Sequence, residues 1–196
     1  HDKGDSTSVE RDYPDFTERL GEDAAGLRIA LPSEFFGEGL AESVKRAVMD
    51  AARRFESMGA FISEVSMPSL GHALPAYYVI SSAEASSNLA RFDGVKYGYR
   101  SEDYEDIDSL YRRTRSEGFG REVKRRILLG TFALSSGYYD AYYKKALQVR
   151  TLIVKDYERV LSEHDLILSP VAPTVAYRFG EKTDDPLKMY LGDIYT

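Results

Sequence analysis

The chain has 196 residues, with 26 Lys+Arg against 32 Asp+Glu for a net charge of −6, and it contains no cysteine. That length suits one domain or a little more and is enough to bury a core. The acidic balance argues against a protein that grips nucleic acid through its whole surface. The lack of cysteine removes disulfides, thiolate nucleophiles and cysteine-based zinc sites, and it fits the reducing cytoplasm. No apolar run approaches the ~18 residues of a membrane span, and the N-terminus is polar, unlike a signal peptide.

Residues 1–26 are polar and punctuated by Gly and Pro, and they read as a linker entering from an upstream part. His1, Asp2 and Asp5 are too few and too loosely held to predict a metal site, so no metal is expected. Residues 27–169 read as an α/β core. Leu27–Leu31 is a buried-strand candidate, Pro32-Ser33-Glu34 turns the chain, and Leu40–Met58 is an amphipathic helix. The stripe of that helix is Leu40, Val44, Ala47, Val48, Ala51 and Phe55, with Gly59 as its stop. Ala60–Met67 alternates as a strand. Residues 27–67 therefore predict a βαβ unit with parallel strands.

Residues 75–90 predict a helix rich in small side chains. Ser81, Ser82, Ala83, Ala85, Ser86 and Ser87 suit the close approach of another element. No G-x-S-x-G elbow surrounds these serines, so packing explains them better than nucleophilic chemistry. A glycine-broken aromatic loop, VKYGYR, and an acidic exposed stretch, SEDYED, follow.

Within the helical stretch 108–129, Asp108–Glu117 reads as a short helix leading into a helix from about Phe119 to Leu129, through the basic run GFGREVKRRILLG. Phe119, Val123 and Ile127 share one face. Arg121, Lys124 and Arg125 fall on the opposite, solvated side, while Arg126 projects into the apolar arc. A guanidinium turned inward needs an anionic partner to offset its desolvation. That partner is either a structural carboxylate or an anionic ligand. TFALSSG, beyond Gly130, reads as a break, and residues 138–163 as the longest helix. Residues 165–169 read as a strand. The last segment, 170–196, has no periodic apolar face and reads as an extended tail leading to a downstream part.

Three stretches carry a resemblance: LPAYYVISSAEASSNLARFDGVKYGYR, SEGFGREVKRRILLGTFALSSGYYDAYYKKALQVR and LSPVAPTVAYRFG. They resemble the A subunits of glutamyl-tRNA(Gln)/aspartyl-tRNA(Asn) amidotransferases, within the amidase signature family. The HDKGDSTS start and the DDPLKMYLGDIYT end fit the same pattern, so the likeness covers essentially the whole chain. It implies a piece of an α/β/α sandwich with a mixed sheet, here with few strands and mostly helices.

The resemblance also implies a function. A Ser–cis-Ser–Lys triad hydrolyses glutamine, and the ammonia passes to the B subunit to amidate glutamate or aspartate on tRNA. The implied partners are glutamine, the B and C subunits of the amidotransferase, and aminoacyl-tRNA through the complex, without a membrane. ATP and Mg serve the whole complex, and no cofactor is expected in this segment. No GGSSGG-like run occurs here, so no catalytic residue is assigned, and Ser81, Ser82, Ser135 and Ser136 are not carried over as nucleophiles. The positions resembling the family's glutamine-binding group are Tyr77, Arg126 and Asp193, with Tyr78 as the alternative tyrosine. Arg126 would pair with the α-carboxylate, Asp193 with the α-ammonium, and Tyr77 would add a phenolic hydrogen bond. Two other readings compete: a non-catalytic module that binds partner subunits or tRNA through the basic helix, and an amidase acting on small amides.

Overall fold

In the computed structural model, residues 1–18, 20–180, 192, 193 and 195 are described. Of the tail expected over 170–196, residues 181–191, 194 and 196 lie outside the described residues. Three parallel strands form a sheet in the order β2-β1-β3, with β1 at Arg28–Pro32, β2 at Phe61–Val65 and β3 at Leu166–Ile167. The register pairs Arg28 with Phe61 and Ile29 with Leu166. The central strand is the apolar one, and Ile29, Ala30 and Leu31 are all buried. A fully covered strand between two neighbours needs no alternation, as its sequence shows.

Helix α1, Glu42–Ser57, joins β1 to β2 and ends where Gly59 takes a φ of 91°. That left-handed conformation favours glycine, so the helix stops there. The core under the sheet is Ala30, Met67 and Val160, with Val65, Leu70, Tyr157 and Ile167 packed against it. Val160 comes from α5, Lys145–Glu163, whose N-terminal end is a π-helical turn, Asp140–Lys144.

β3 is shorter than the 165–169 strand that the sequence suggests, and backbone bonds from the Asp165 N–H to the Arg28 carbonyl at 2.8 Å and from the Leu168 N–H to the Ala30 carbonyl at 2.9 Å flank it. Asp165 accepts from the Arg28 backbone N–H at 2.9 Å, from Arg28 Nε at 3.2 Å and from Arg28 Nη2 at 2.8 Å. This clamp sets the register of β3 on β1 and holds the Asp165 carboxyl down at about 2 through the Arg28 side-chain and backbone bonds.

Helix α2 spans Ala73–Leu89 and α4 spans Arg121–Leu134. They lie in close contact, and the reason is Gly130. A Cβ at Gly130 would overlap the carbonyl of Ser82 and meet Ser86 Cβ at 2.7 Å. The helix therefore continues through Gly130 to Leu134, into the TFALSSG stretch expected as a break, and stops at Ser135. Glycine costs ~1 kcal/mol of helix propensity, and the close approach offsets that cost. The Ser86 and Thr131 hydroxyls hydrogen-bond across the contact at 2.9 Å.

The helical stretch expected over 108–129, a short helix leading into a second from about Phe119, is two helices. Helix α3, Ile107–Gly118, ends at Phe119, where the backbone turns extended, and Gly120 then opens α4. Asp106 caps α3 with a reciprocal capping box: Asp106 accepts from the Ser109 N–H, and Ser109 accepts from the Asp106 N–H. That box fixes the start of the helix.

Two outcomes test this frame. Gly130→Ala should cost about 3 kcal/mol in denaturant unfolding, because the clash is with backbone. Gly137→Ala, with nothing within 4 Å of its Cβ, should fall within about 0.5 kcal/mol. The second outcome concerns pH. Asp165 titrates lower when folded than its ordinary 3.8, so the unfolded chain takes up the proton first as pH falls. The stability from this clamp is present above about pH 4 and lost as pH drops toward 2. The unfolding-midpoint gap between wild type and Asp165→Asn should close over that window.

Candidate glutamine-recognition site

Helix α2 presents two adjacent tyrosines, and the structure gives them different places. Tyr77 lines a cavity of about 380 Å³ together with Ile80, Ile153, Tyr157, Arg150 and Asp193. The Tyr78 hydroxyl donates to Asp193 Oδ2 at 2.6 Å. The two rings meet edge-on, with centroids 5.0 Å apart. The neighbouring Tyr195 is anchored too, donating to the Phe35 carbonyl at 3.0 Å.

Arg126 reaches this group from α4. Its guanidinium carbon lies over the Tyr78 ring, 5.4 Å from the centroid. Glu122, one turn earlier on the same helix, accepts from Arg126 Nε at 3.1 Å through one oxygen and from Arg125 Nη1 at 3.1 Å through the other. Burial works to lower the Arg126 pKa, but the bond to Glu122 and its charge prevail and hold it above its ordinary value. Burial first, then the bond to Asp193, pushes the Tyr78 hydroxyl above the usual phenol range. The hydroxyl therefore stays a donor wherever the protein is folded.

The expected site residues thus occupy one neighbourhood in two layers. Tyr77 and Asp193 form part of the cavity wall. Arg126 is not in that wall and joins it through the two tyrosines. The basic run also differs from its sequence reading. Arg125 and Arg126 are similarly exposed, at 35% and 28%, so the outward and inward cations are less distinct than the helical wheel suggests. The reason is Glu122, which draws both guanidinia to itself. Lys124 is half-buried as well, and its ammonium donates to the Ser116 carbonyl at 2.6 Å. Of the three cations read as solvated, Arg121 alone is fully exposed.

Glu122 and Arg150 do not stand out in the sequence reading. Glu122 carries a readable signal, standing three and four residues before the two arginines. Arg150 carries none, because its place on the cavity depends on how α5 packs against α2. The serines do what packing predicts. Ser82 is buried, Ser86 bonds Thr131, and Ser135 donates to the Phe132 carbonyl in its own chain segment. Among the described residues, no group of three or more His, Cys, Asp or Glu could hold a metal, and Asp2 and Asp5 instead cap local turns. Among the described residues, no helix is long and apolar enough to cross a membrane.

The Amidase family profile matches residues 1–196. The chain belongs to the amidase family. Among its relatives, the A subunit of glutamyl-tRNA(Gln) amidotransferase from Caldanaerobacter subterraneus subsp. tengcongensis is 60% identical over the whole chain, and that from Heliobacterium modesticaldum is 57% identical. In both cases this chain spans 40% of the relative's length. Among solved structures, the A subunit of glutamyl-tRNA(Gln) amidotransferase from Thermotoga maritima superimposes with a TM-score of 0.68 at 37% identity, covering 100% of this chain and 37% of that one. A bacterial aryl acylamidase of the amidase signature enzymes superimposes with a TM-score of 0.66 at 17% identity over 86% of this chain and 32% of that one, a likeness of fold. The three-stranded parallel sheet with its helices is thus an α/β piece of the amidase architecture.

Proposed function

We propose that this chain is the glutamine-recognition segment of a glutamine-hydrolysing amidotransferase subunit. The observation behind this reading is the linked group Asp193–Tyr78–Arg126. A carboxylate and a guanidinium are held by opposite ends of one tyrosine, beside a cavity lined by Tyr77.

Free glutamine carries a carboxylate and an ammonium on one carbon. A site with one fixed cation and one fixed anion matches that pair and discriminates against an amide with neither charge. Arg126 receives the α-carboxylate, Asp193 the α-ammonium, and the side-chain amide extends into the site toward chemistry supplied elsewhere in the subunit. Glu122 fixes the plane of the Arg126 fork by holding it at Nε, near the stem. Tyr77, 46% exposed, stands at the cavity wall, where its phenol can meet the ligand.

The hydrolysis itself belongs to a Ser–cis-Ser–Lys triad that this sequence does not contain. The segment alone is therefore inactive as a glutaminase. In the whole protein the ammonia goes to the B subunit, with the C subunit in the complex, for ATP- and Mg-dependent amidation of glutamyl- or aspartyl-tRNA. That overall reaction is a C–N bond-forming ligase activity of the cytoplasm.

Arg126→Ala in the intact protein should raise KM for glutamine at least tenfold, by about 1.4 kcal/mol or more, while kcat changes much less. A KM unchanged from wild type in steady-state glutaminase assays would contradict the assignment. It would favour an amidase acting on small uncharged amides.

A further inference from the structure

Arg126 and Asp193 pose a physical problem that the recognition of a zwitterion shares with every such site. The two protein charges must stand close together, because the ligand's charges are on one carbon. Opposite charges that close attract each other, and a site collapsed into an internal ion pair must break that pair before it binds anything. Something has to hold these two charges apart from each other.

Tyrosine is suited to that task, because its two ends recognise opposite charges. The ring face attracts a cation, and the hydroxyl donates to an anion. Tyr78 uses both at once. Arg126 lies over its ring, 5.4 Å from the centroid, and Asp193 accepts from its hydroxyl at 2.6 Å. Ring attraction acts on the guanidinium as a whole and uses up no N–H, so it does not compete with the in-plane bonds that a carboxylate makes. The hydroxyl bond goes to Asp193 Oδ2, one of two oxygens on a group with about four acceptor positions.

The backbone supports the same arrangement. Tyr78 stands one helical turn before Ser82 on α2, and Arg126 one turn before Gly130 on α4. At Gly130 the two helices come close, with the Ser82 carbonyl against the glycine. The ring and the guanidinium thus meet one turn from a close helix contact, with Glu122 holding Arg126 from its own helix. Neighbouring Tyr77 plays a different part: its ring meets the edge of Tyr78, and it faces the cavity.

We infer that Tyr78 is a specificity-determining positioning residue, a spacer that orients Arg126 and Asp193 for the two charges of a free α-amino acid. This rests on the glutamine reading above and extends it from the residues that meet the ligand to the one that sets their separation.

The test uses the intact protein in its complex and three amide substrates: glutamine, glutaramate (which lacks the ammonium) and 4-aminobutanamide (which lacks the carboxylate). Tyr78→Phe keeps the ring and deletes the bond to Asp193. It should raise KM for glutamine about tenfold with kcat within about twofold, and lower the preference for glutamine over glutaramate by a similar factor. Tyr78→Leu also deletes the ring, and it should in addition lower the preference for glutamine over 4-aminobutanamide. If Tyr78→Leu fails to fold, Tyr78→Phe alone decides. Unchanged preferences in a folded Tyr78→Phe variant would overturn the inference. Arg126→Ala and Asp193→Ala, run alongside, separate the two levels. If they shift the preferences and the Tyr78 variants do not, only the spacer role falls. If they too leave the preferences unchanged, the glutamine reading falls with it.

Discussion

The contact between α2 and α4 is the constraint on which the site depends. Two helices normally keep their axes 8–10 Å apart because side chains fill the space between them. Here Gly130 has no side chain, and Ser82, Ala83 and Ser86 opposite it are small, so the backbones approach until the Gly130 position touches the Ser82 carbonyl. One turn away on each helix, the large residues Tyr78 and Arg126 then meet at ring-to-cation distance. A bulkier residue at Gly130 would separate the helices and with them the two groups. The same small residues that could be mistaken for a serine nucleophile cluster are what lets Tyr78 and Arg126 meet.

Electrostatics in this neighbourhood is arranged by sharing, not by pairing charges one to one. Glu122 divides its two oxygens between Arg125 and Arg126. Tyr78 divides its ring and hydroxyl between Arg126 and Asp193. Glu122 and Tyr78 thereby each orient two groups at once. Arg150, on α5, adds a further cation to the cavity wall beside Asp193. Away from this site, the exposed Arg28–Asp165 clamp has a purely structural task, tying β3 to the central strand.

The βαβ unit was legible in the sequence because its signals are local: an apolar strand, an amphipathic stripe and a glycine at the helix end. The helix over 73–89 and the close approach that it invites were legible from the run of small side chains. Its partner was not, since nothing in TFALSSG says that Gly130 lies against another helix. The stretch beyond Gly130 reads as a break unless the opposing backbone is known. The division within 108–129 was legible as a short helix leading into a second, and the extended backbone at Phe119 fixes where it falls. In the site, Arg126 stood out by its direction on the helical wheel, and the family resemblance added Tyr77 and Asp193. The linking role of Tyr78 depends on a contact between residues 115 apart in sequence, which no local pattern encodes. Glu122 lay within reach of simple i, i+4 reasoning, but a run of cations hides the single counter-ion that orders it.

The proposal that Arg126 and Asp193 together hold the two charges of glutamine's α-carbon is tested most directly by a crystal structure of the intact protein with glutamine bound. The expected result is the α-carboxylate against the Arg126 guanidinium, the α-ammonium against the Asp193 carboxylate, and the Tyr78 hydroxyl still bonded to Asp193. Glutamine bound with its α-carbon away from both residues, or with Arg126 contacting only Glu122, would contradict it.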